Sequence, residues 1–115
     1  MNAHTTKTKE MGITRFSIKG YRWFQKSYGN TYHTTYISAL IDGVWCDLGS
    51  TPMEYGYGEQ YLCTAGKWLI DNGFIENLKD AQQLIGDGYQ FNQYTFRQVN
   101  NIDNSVQDVN RKKDL

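Results

Sequence analysis

The dipeptide Asp42-Gly43 stands between two runs of β-forming residues, "TYHTTYISALI" and "VWCDLG". A two-residue Asp-Gly connection needs positive φ at both positions and matches the twist of antiparallel strands, which makes it a strong hairpin signal. Upstream, Gly29-Asn30 separates "ITRFSIKGYRWFQKS" from the same central run. Gly at the first central position of such a pair suits a type II′ turn. The two turns together predict an antiparallel β-meander. Gly20, inside the first strand, is expected to mark a bend or bulge.

Turn geometry also fixes the expected register. Trp23 should face Tyr36, Phe24 should face Thr35, Ile37 should face Leu48 and Ala39 should face Cys46. Alternation with period two then gathers Phe24, Ile37, Ala39, Ile41, Val44, Cys46 and Leu48 on one side, the expected core face. The opposite side collects Tyr21, Trp23, Tyr36, Leu40 and Trp45. Both sides are apolar, so whether helices cover the aromatic side decides much of what the chain can do.

Ser50-Thr51-Pro52 is expected to end the third strand. Leu62, Ala65, Leu69 and Trp68 follow at helical spacing, with Asn72-Gly73 as a stop. A second, shorter helix is expected from the N-cap Asn77, carrying Leu78, Ala81, Leu84 and Ile85 to Gly86-Asp87-Gly88. "YQFNQYTFRQV" reads as a late strand with a bulge between Phe91 and Tyr94. Val99, Ile102, Val106 and Val109 repeat at 3-4-3 spacing, as an amphipathic helix would, although so short a helix is marginal alone.

The expected fold is therefore α+β. An antiparallel sheet of three to four strands, an N-terminal β-meander plus a late C-terminal strand, is packed by one or two helices. Residues 1–11 read as a flexible polar tail, 12–99 as a single domain, and 100–115 as a tail or short amphipathic helix. A chain of 115 residues supports one modest core. Its nine tyrosines favour a sheet-rich fold over a helical bundle.

Formal charge balances at twelve basic and twelve acidic residues, so no global field draws the chain to nucleic acid or anionic membrane. The balance hides a split. Residues 1–35 hold six bases against Glu10 alone, a net of +5, and the remainder holds six bases against eleven acids, a net of −5. Either the two halves meet different partners, or they mix in space and cancel.

Chemistry is scarce. Cys46, Cys63, His33 and His4 lack the paired spacing of a zinc site, so no metal or other cofactor is implied. His33, Cys63 and Asp47 could be drawn as a triad, but no local signature supports one. Asp42, Asp47, Glu54, Glu59 and Asp71 offer carboxylates without selecting a pair. These absences speak against an enzyme. The polar start "MNAHTTKTKEMG" lacks the apolar core of a signal peptide, and no apolar run suits a membrane span. A cytosolic protein with two reduced thiols is expected.

Two stretches remain as candidate binding elements. Arg22, Lys26 and His33 interleave with Trp23, Tyr32 and Tyr36, a mixture of cations and flat rings. It suits stacking on bases with phosphate contact, and equally a protein interface. "YGYGEQY", Tyr55 to Tyr61, places Tyr55 and Tyr57 on a glycine-rich loop before a helix. Tyr61 stands where a dinucleotide fingerprint needs its third glycine, and Glu59 would oppose a phosphate there, so the loop reads as a structured carrier of tyrosines.

These same residues carry a resemblance. "RWFQKSYGNTYH" followed by "PMEYGYGEQYL" resembles a group of small bacteriophage proteins sharing R-W-F-x-K-x-x-G-N-T-Y-H and Y-G-Y-G-acid-x-Y-L. The pattern falls on Arg22, Trp23, Phe24, Lys26 and Gly29 to His33, then on Tyr55 to Glu59, Tyr61 and Leu62, within residues 13–70. The group brings no activity to transfer. The resemblance implies a phage or prophage origin and a protein acting in the host cytoplasm. On that basis the expected function is a non-enzymatic binding protein, an inhibitor of a host or anti-phage defence protein. The alternative is a nucleic-acid- or nucleotide-binding module using the basic, aromatic hairpin.

Overall fold

The computed structural model describes residues 4–76, 82–85, 88–91 and 93–115. The chain is α+β. Strands β1 (Ile13–Gln25), β2 (Asn30–Ile41), β3 (Val44–Tyr55) and a later strand, β6 (Ile102–Val109), form a mixed sheet in the order β3-β2-β1-β6. The first three make the expected meander, and β6 lies parallel to β1. Helices α2 (Gln60–Asp71) and α3 (Gln93–Asn100) contribute to one buried cluster with the sheet, and α1 (Thr6–Glu10) docks beside it through the buried Thr8. A separate hairpin pairs β4 (Gln82–Ile85) with β5 (Gly88–Phe91).

Asp42 and Gly43 both take positive φ, 49° and 82°, and Ile41 pairs with Val44 across them. The second turn is as expected. The first is not. Gln25 pairs with Asn30, leaving Lys26–Gly29 as a four-residue loop, and Gly29 (φ 71°) closes it by donating its N–H to the Gln25 carbonyl at 2.8 Å. Glycine thus serves at the last loop position, where the left-handed conformation is needed. The register consequently places Trp23 opposite Tyr32 rather than Tyr36, and Phe24 opposite Thr31 rather than Thr35. The displacement is an even number of residues, so every side chain keeps its face. Between β2 and β3, Ala39 meets Cys46 as expected. A bulge at Leu48 then puts Gly49, not Leu48, opposite Ile37. Pro52 lies within β3, on the sheet's edge, where its missing N–H costs no ladder bond.

Gly20 makes no bend. It pairs regularly with Thr35 on one side and Val106 on the other. It is glycine because Tyr61 of α2 lies on it: a Cβ there would stand 2.5 Å from the ring. Gly49 is the same device two strands away, on β3, with the Trp68 ring 2.5 Å from where its Cβ would be. Tyr61 and Trp68 are seven residues apart, two helical turns, so one face of α2 delivers both rings to the sheet. The Tyr61 hydroxyl accepts a 2.7 Å hydrogen bond from Asn104 of β6, and burial raises its phenol above the ordinary value. Around this contact pack Phe16, Ile18, Ile37, Ala39, Leu62, Ala65, Leu69 and Phe96, all buried. Gly73 (φ 79°) ends the region as expected, with the Phe74 N–H returning to the Leu69 carbonyl at 2.8 Å.

Four segments depart from the sequence reading. The N-terminal stretch is a docked helix from Thr6, not a flexible tail. Thr5 caps it, and the Thr5 and Thr8 hydroxyls each donate a 2.6 Å bond to the carbonyls of Gly73 and Phe74. His4 is buried, edge-on to Phe16, and its Nε2 lies 2.5 Å from the Asn100 carbonyl. Gln82–Ile85 is a strand rather than the end of a helix, while the expected cap at Asn77 lies outside the described residues. The phase slip between Phe91 and Tyr94 is no bulge: the strand ends at Phe91 and α3 begins at Gln93.

The C-terminal stripe is a strand as well, neither helix nor tail. Ile102 and Val106 turn toward the helix-bearing side, in line with Phe16 and Gly20. β1 offers an open edge, and pairing satisfies eight residues of backbone that a short solvated helix would hold only weakly. Two ion pairs fix this pairing. Arg15 meets Asp103, and Arg22 grips Asp108 through Nε and Nη2 at 2.8 and 3.2 Å. Basic N-terminal residues are thereby neutralised by acidic C-terminal ones, so the charge split of the sequence is partly cancelled in space.

Gly20→Ala should therefore lower stability by about 1–3 kcal/mol, the range for forcing a methyl into a packed contact. Urea unfolding would read this as a lower midpoint at unchanged slope, and an unaltered midpoint would refute the contact. A second expectation concerns acid. Burial holds His4 below its ordinary value, opposed by its bond to the Asn100 carbonyl and assisted by Lys9. Below about pH 6.5 the unfolded chain takes up a proton that the folded chain resists. Stability from this residue is thus full above that pH and is lost as pH falls through the lower, folded value. His4→Gln should show a flatter pH dependence of the unfolding midpoint than the parent across that window, and parallel profiles would contradict it.

Candidate functional site

Because α2 and α3 share one buried cluster with Phe16, Ile18, Ile37 and Ala39, and α1 is tied to the Phe74 carbonyl of that cluster by the buried Thr8 hydroxyl, all three lie on one side of the sheet. Among the described residues no helix covers the other side. Its residues follow from the register in rows that cross the strands. One row runs Tyr55 (β3), Tyr32 (β2), Trp23 (β1) and Val109 (β6). The next on β2 and β1 holds Thr34 and Tyr21, and the one after runs Ser50, Tyr36, Lys19 and Ser105. Further along come Asp47, Ser38, Ser17 and Asp103, with Trp45 and Leu40 beyond.

The rings in these rows touch one another. Trp23 stacks on Tyr32 at 5.9 Å between centroids and 27° between planes, and Tyr32 meets Tyr55 edge-on at 5.8 Å. Tyr21 and Tyr36 form a second edge-on pair at 5.5 Å. Such pairs each add about 0.5–1.5 kcal/mol beyond the area they bury, so the surface is a pre-arranged mat rather than a set of loose rings. It remains in contact with solvent: Tyr36 is 44% exposed, Trp45 47% and Tyr55 60%. The hydroxyl of Thr34, on the same side, is buried without a hydrogen-bond partner among the described residues.

Charge on this side is balanced. Arg15 is held by Asp103 through a bidentate contact, which also raises the Arg15 guanidinium above its ordinary value. The Lys19 ammonium lies 5.2 Å from the Tyr21 ring centroid, a cation–π contact. Asp47 accepts from the Ser38 hydroxyl at 3.2 Å.

The candidate residues read from the sequence therefore divide among three environments. Trp23, Tyr32, Tyr36 and Tyr55 come together on the bare side of the sheet. Arg22, Lys26 and Tyr57 lie elsewhere, lining a cleft on the helix-bearing side. Alternation accounts for the division, since Arg22 and Trp23 are adjacent in one strand and must point to opposite faces. The cations and the flat rings thus do not form one combined grip.

His33 belongs to neither surface. It is fully buried, with Nδ1 3.1 Å from the Gly56 carbonyl and Nε2 2.7 Å from the Thr64 hydroxyl. The carbonyl can only accept, so Nδ1 donates to it, while Nε2 is paired with the Thr64 hydroxyl, which also reaches the Gln60 carbonyl at 3.3 Å. Both nitrogens are engaged in fastening the "YGYGEQY" loop to β2 and α2. Gly56 is small for the same reason: a Cβ there would stand 2.9 Å from His33 Cε1. A triad of His33, Cys63 and Asp47 does not assemble, because Asp47 lies on the bare face and His33 on the covered one. Cys46 and Cys63 are free thiols, both half-buried. No helix among the described residues is long and apolar enough to cross a membrane.

Sequence reasoning missed Tyr21, Lys19 and Trp45 as members of the exposed mat, and Phe24 and Asp108 as part of the cleft. For the first group the signal was present in the alternation, once Tyr21, Trp45 and Tyr36 had been placed on one side. Asp108 had no comparable signal, because its position depends on β6 docking along β1. Compared with known protein families, curated proteins and solved structures, the chain matches none.

Proposed function

We propose that the chain is a non-enzymatic binding protein that engages a protein partner through the bare aromatic side of its sheet. The observation that carries this reading is the continuous row Tyr55–Tyr32–Trp23, with Tyr21 and Tyr36 beside it and Trp45 further along the same side beyond a polar row, all partly exposed. Tyrosine and tryptophan dominate the energetic centres of protein interfaces, and pre-stacked rings lose little freedom on binding. Contiguous exposed apolar surface of this kind is unusual on an inert monomer.

Balanced charge favours protein over nucleic acid on this side. A strand of nucleic acid brings one phosphate per nucleotide and needs several uncommitted cations. Here Arg15 is paired with Asp103, Lys19 lies against the Tyr21 ring, and the hairpin's Arg22 and Lys26 have gone to the opposite side. The resemblance to small bacteriophage proteins extends the proposal to its biological setting: the partner is a host or anti-phage defence protein met in the host cytoplasm, and the effect is inhibition.

The test is capture of partners from a bacterial host lysate by immobilised protein, with and without nuclease, at low and high salt. A protein partner retained in high salt and after nuclease is expected. Its capture should fall by about 30-fold in Tyr32→Ala or Trp45→Ala, the loss typical of one interface anchor at about 2 kcal/mol. Capture abolished by nuclease, or indifferent to both substitutions, would overturn the reading.

A further inference from the structure

The helix-bearing side of the sheet becomes bare again beyond the N-terminal end of α2. Tyr61, near the start of that helix, sits over Gly20, but β1 continues to Gln25. Those last residues project about 17 Å at the usual rise of an antiparallel strand. Over them lies a cleft of about 510 Å³ lined by Arg22, Phe24, Lys26, Thr31, Tyr57 and Asp108. Its volume lies in the range of small-molecule sites.

The lining has a specific composition. Arg22 is clamped, with Nε and Nη2 on the Asp108 carboxylate and Nη1 on the Gly58 carbonyl at 3.0 Å. A guanidinium has five N–H donors. Three are spent here, leaving one each on Nη1 and Nη2 in a rigidly held fork. Asp108 is balanced by Arg22, whereas Lys26 makes no ion pair among the described residues. Two cations against one carboxylate leave the lining net positive. Phe24 and Tyr57, from different segments of the chain, present rings 54% and 66% exposed. Flat faces beside an uncommitted cation and a pre-oriented guanidinium suit a ligand that is both planar and anionic.

We propose that this cleft binds a small ligand of the chemical class of a nucleoside monophosphate. The ring packs on Phe24 or Tyr57, and the phosphate takes the Lys26 ammonium and the two remaining Arg22 N–H groups. This site is on the opposite side of the sheet from the aromatic mat and does not depend on it. One net positive charge and room for a single small molecule fit a free nucleotide rather than a polymer.

Titration of the isotopically labelled full chain with AMP, followed by amide chemical shifts, tests it directly. Shifts should concentrate at Phe24, Lys26, Tyr57 and Asp108. Adenosine and inorganic phosphate, each bringing half of the chemistry, should bind at least about tenfold more weakly, the worth of one charge-assisted bond or one stack. Lys26→Ala and Tyr57→Ala alter exposed side chains and should each weaken AMP by a similar factor, while Trp45→Ala on the far side should not. The proposal fails if millimolar AMP leaves the cleft unshifted, if the shifts fall on the Trp23–Tyr32 row, or if Lys26→Ala binds AMP as the parent does.

Discussion

Two aromatic rings of α2 rest on two glycines of the sheet, Tyr61 on Gly20 and Trp68 on Gly49, and the rest of the molecule is arranged around that contact. A ring can lie flat against a strand only where no Cβ intervenes, so these glycines determine both where α2 docks and which side of the sheet it covers. The Tyr61 hydroxyl then reaches Asn104 and ties in β6, which in turn brings Asp103 to Arg15 and Asp108 to Arg22. The N-terminal segment closes the other end, with threonine hydroxyls bonded to the carbonyls just past the end of α2. Backbone groups that would otherwise be orphaned there find partners within the chain.

The same contact decides what is left uncovered. With the helices committed to one side, the strands' other residues, including most of the hairpin's rings, have nothing from the described chain packed on them. Because Tyr61 fixes the helix start above Gly20, the distal ends of β1 and β2 protrude, exposing Phe24 as well. Two chemically different surfaces result from one meander. One is aromatic and charge-balanced; the other is a net-positive cleft with a clamped arginine.

Much of this was legible in the sequence. The Asp42-Gly43 turn, the meander, the α2 periodicity and its Gly73 stop follow from local rules, and the β1 and β2 side chains around the first turn kept their faces because the slip there was even, whereas the bulge at Leu48 shifted β3 by one. What was not legible depended on contacts distant in sequence. Gly20 resembles a bulge until Tyr61, some forty residues on, is seen to occupy it. The 3-4-3 spacing of Val99, Ile102, Val106 and Val109 is genuine as a pattern, yet an open edge on β1 and two arginines awaiting carboxylates outweigh it. The candidate site was misjudged for a related reason. Adjacent letters such as Arg22 and Trp23 look like one grip in a string and become opposite faces in a strand.

The central claim is that the helices cover the Gly20 side and leave the Trp23–Tyr32–Tyr55 side bare. Hydroxyl-radical footprinting of the isolated protein, read residue by residue by mass spectrometry, measures this most directly. The account predicts rapid modification of Tyr36, Trp45 and Tyr55 and strong protection of Tyr61 and Phe16. Protection of the aromatic row, or modification of Tyr61 as fast as Tyr55, would contradict it.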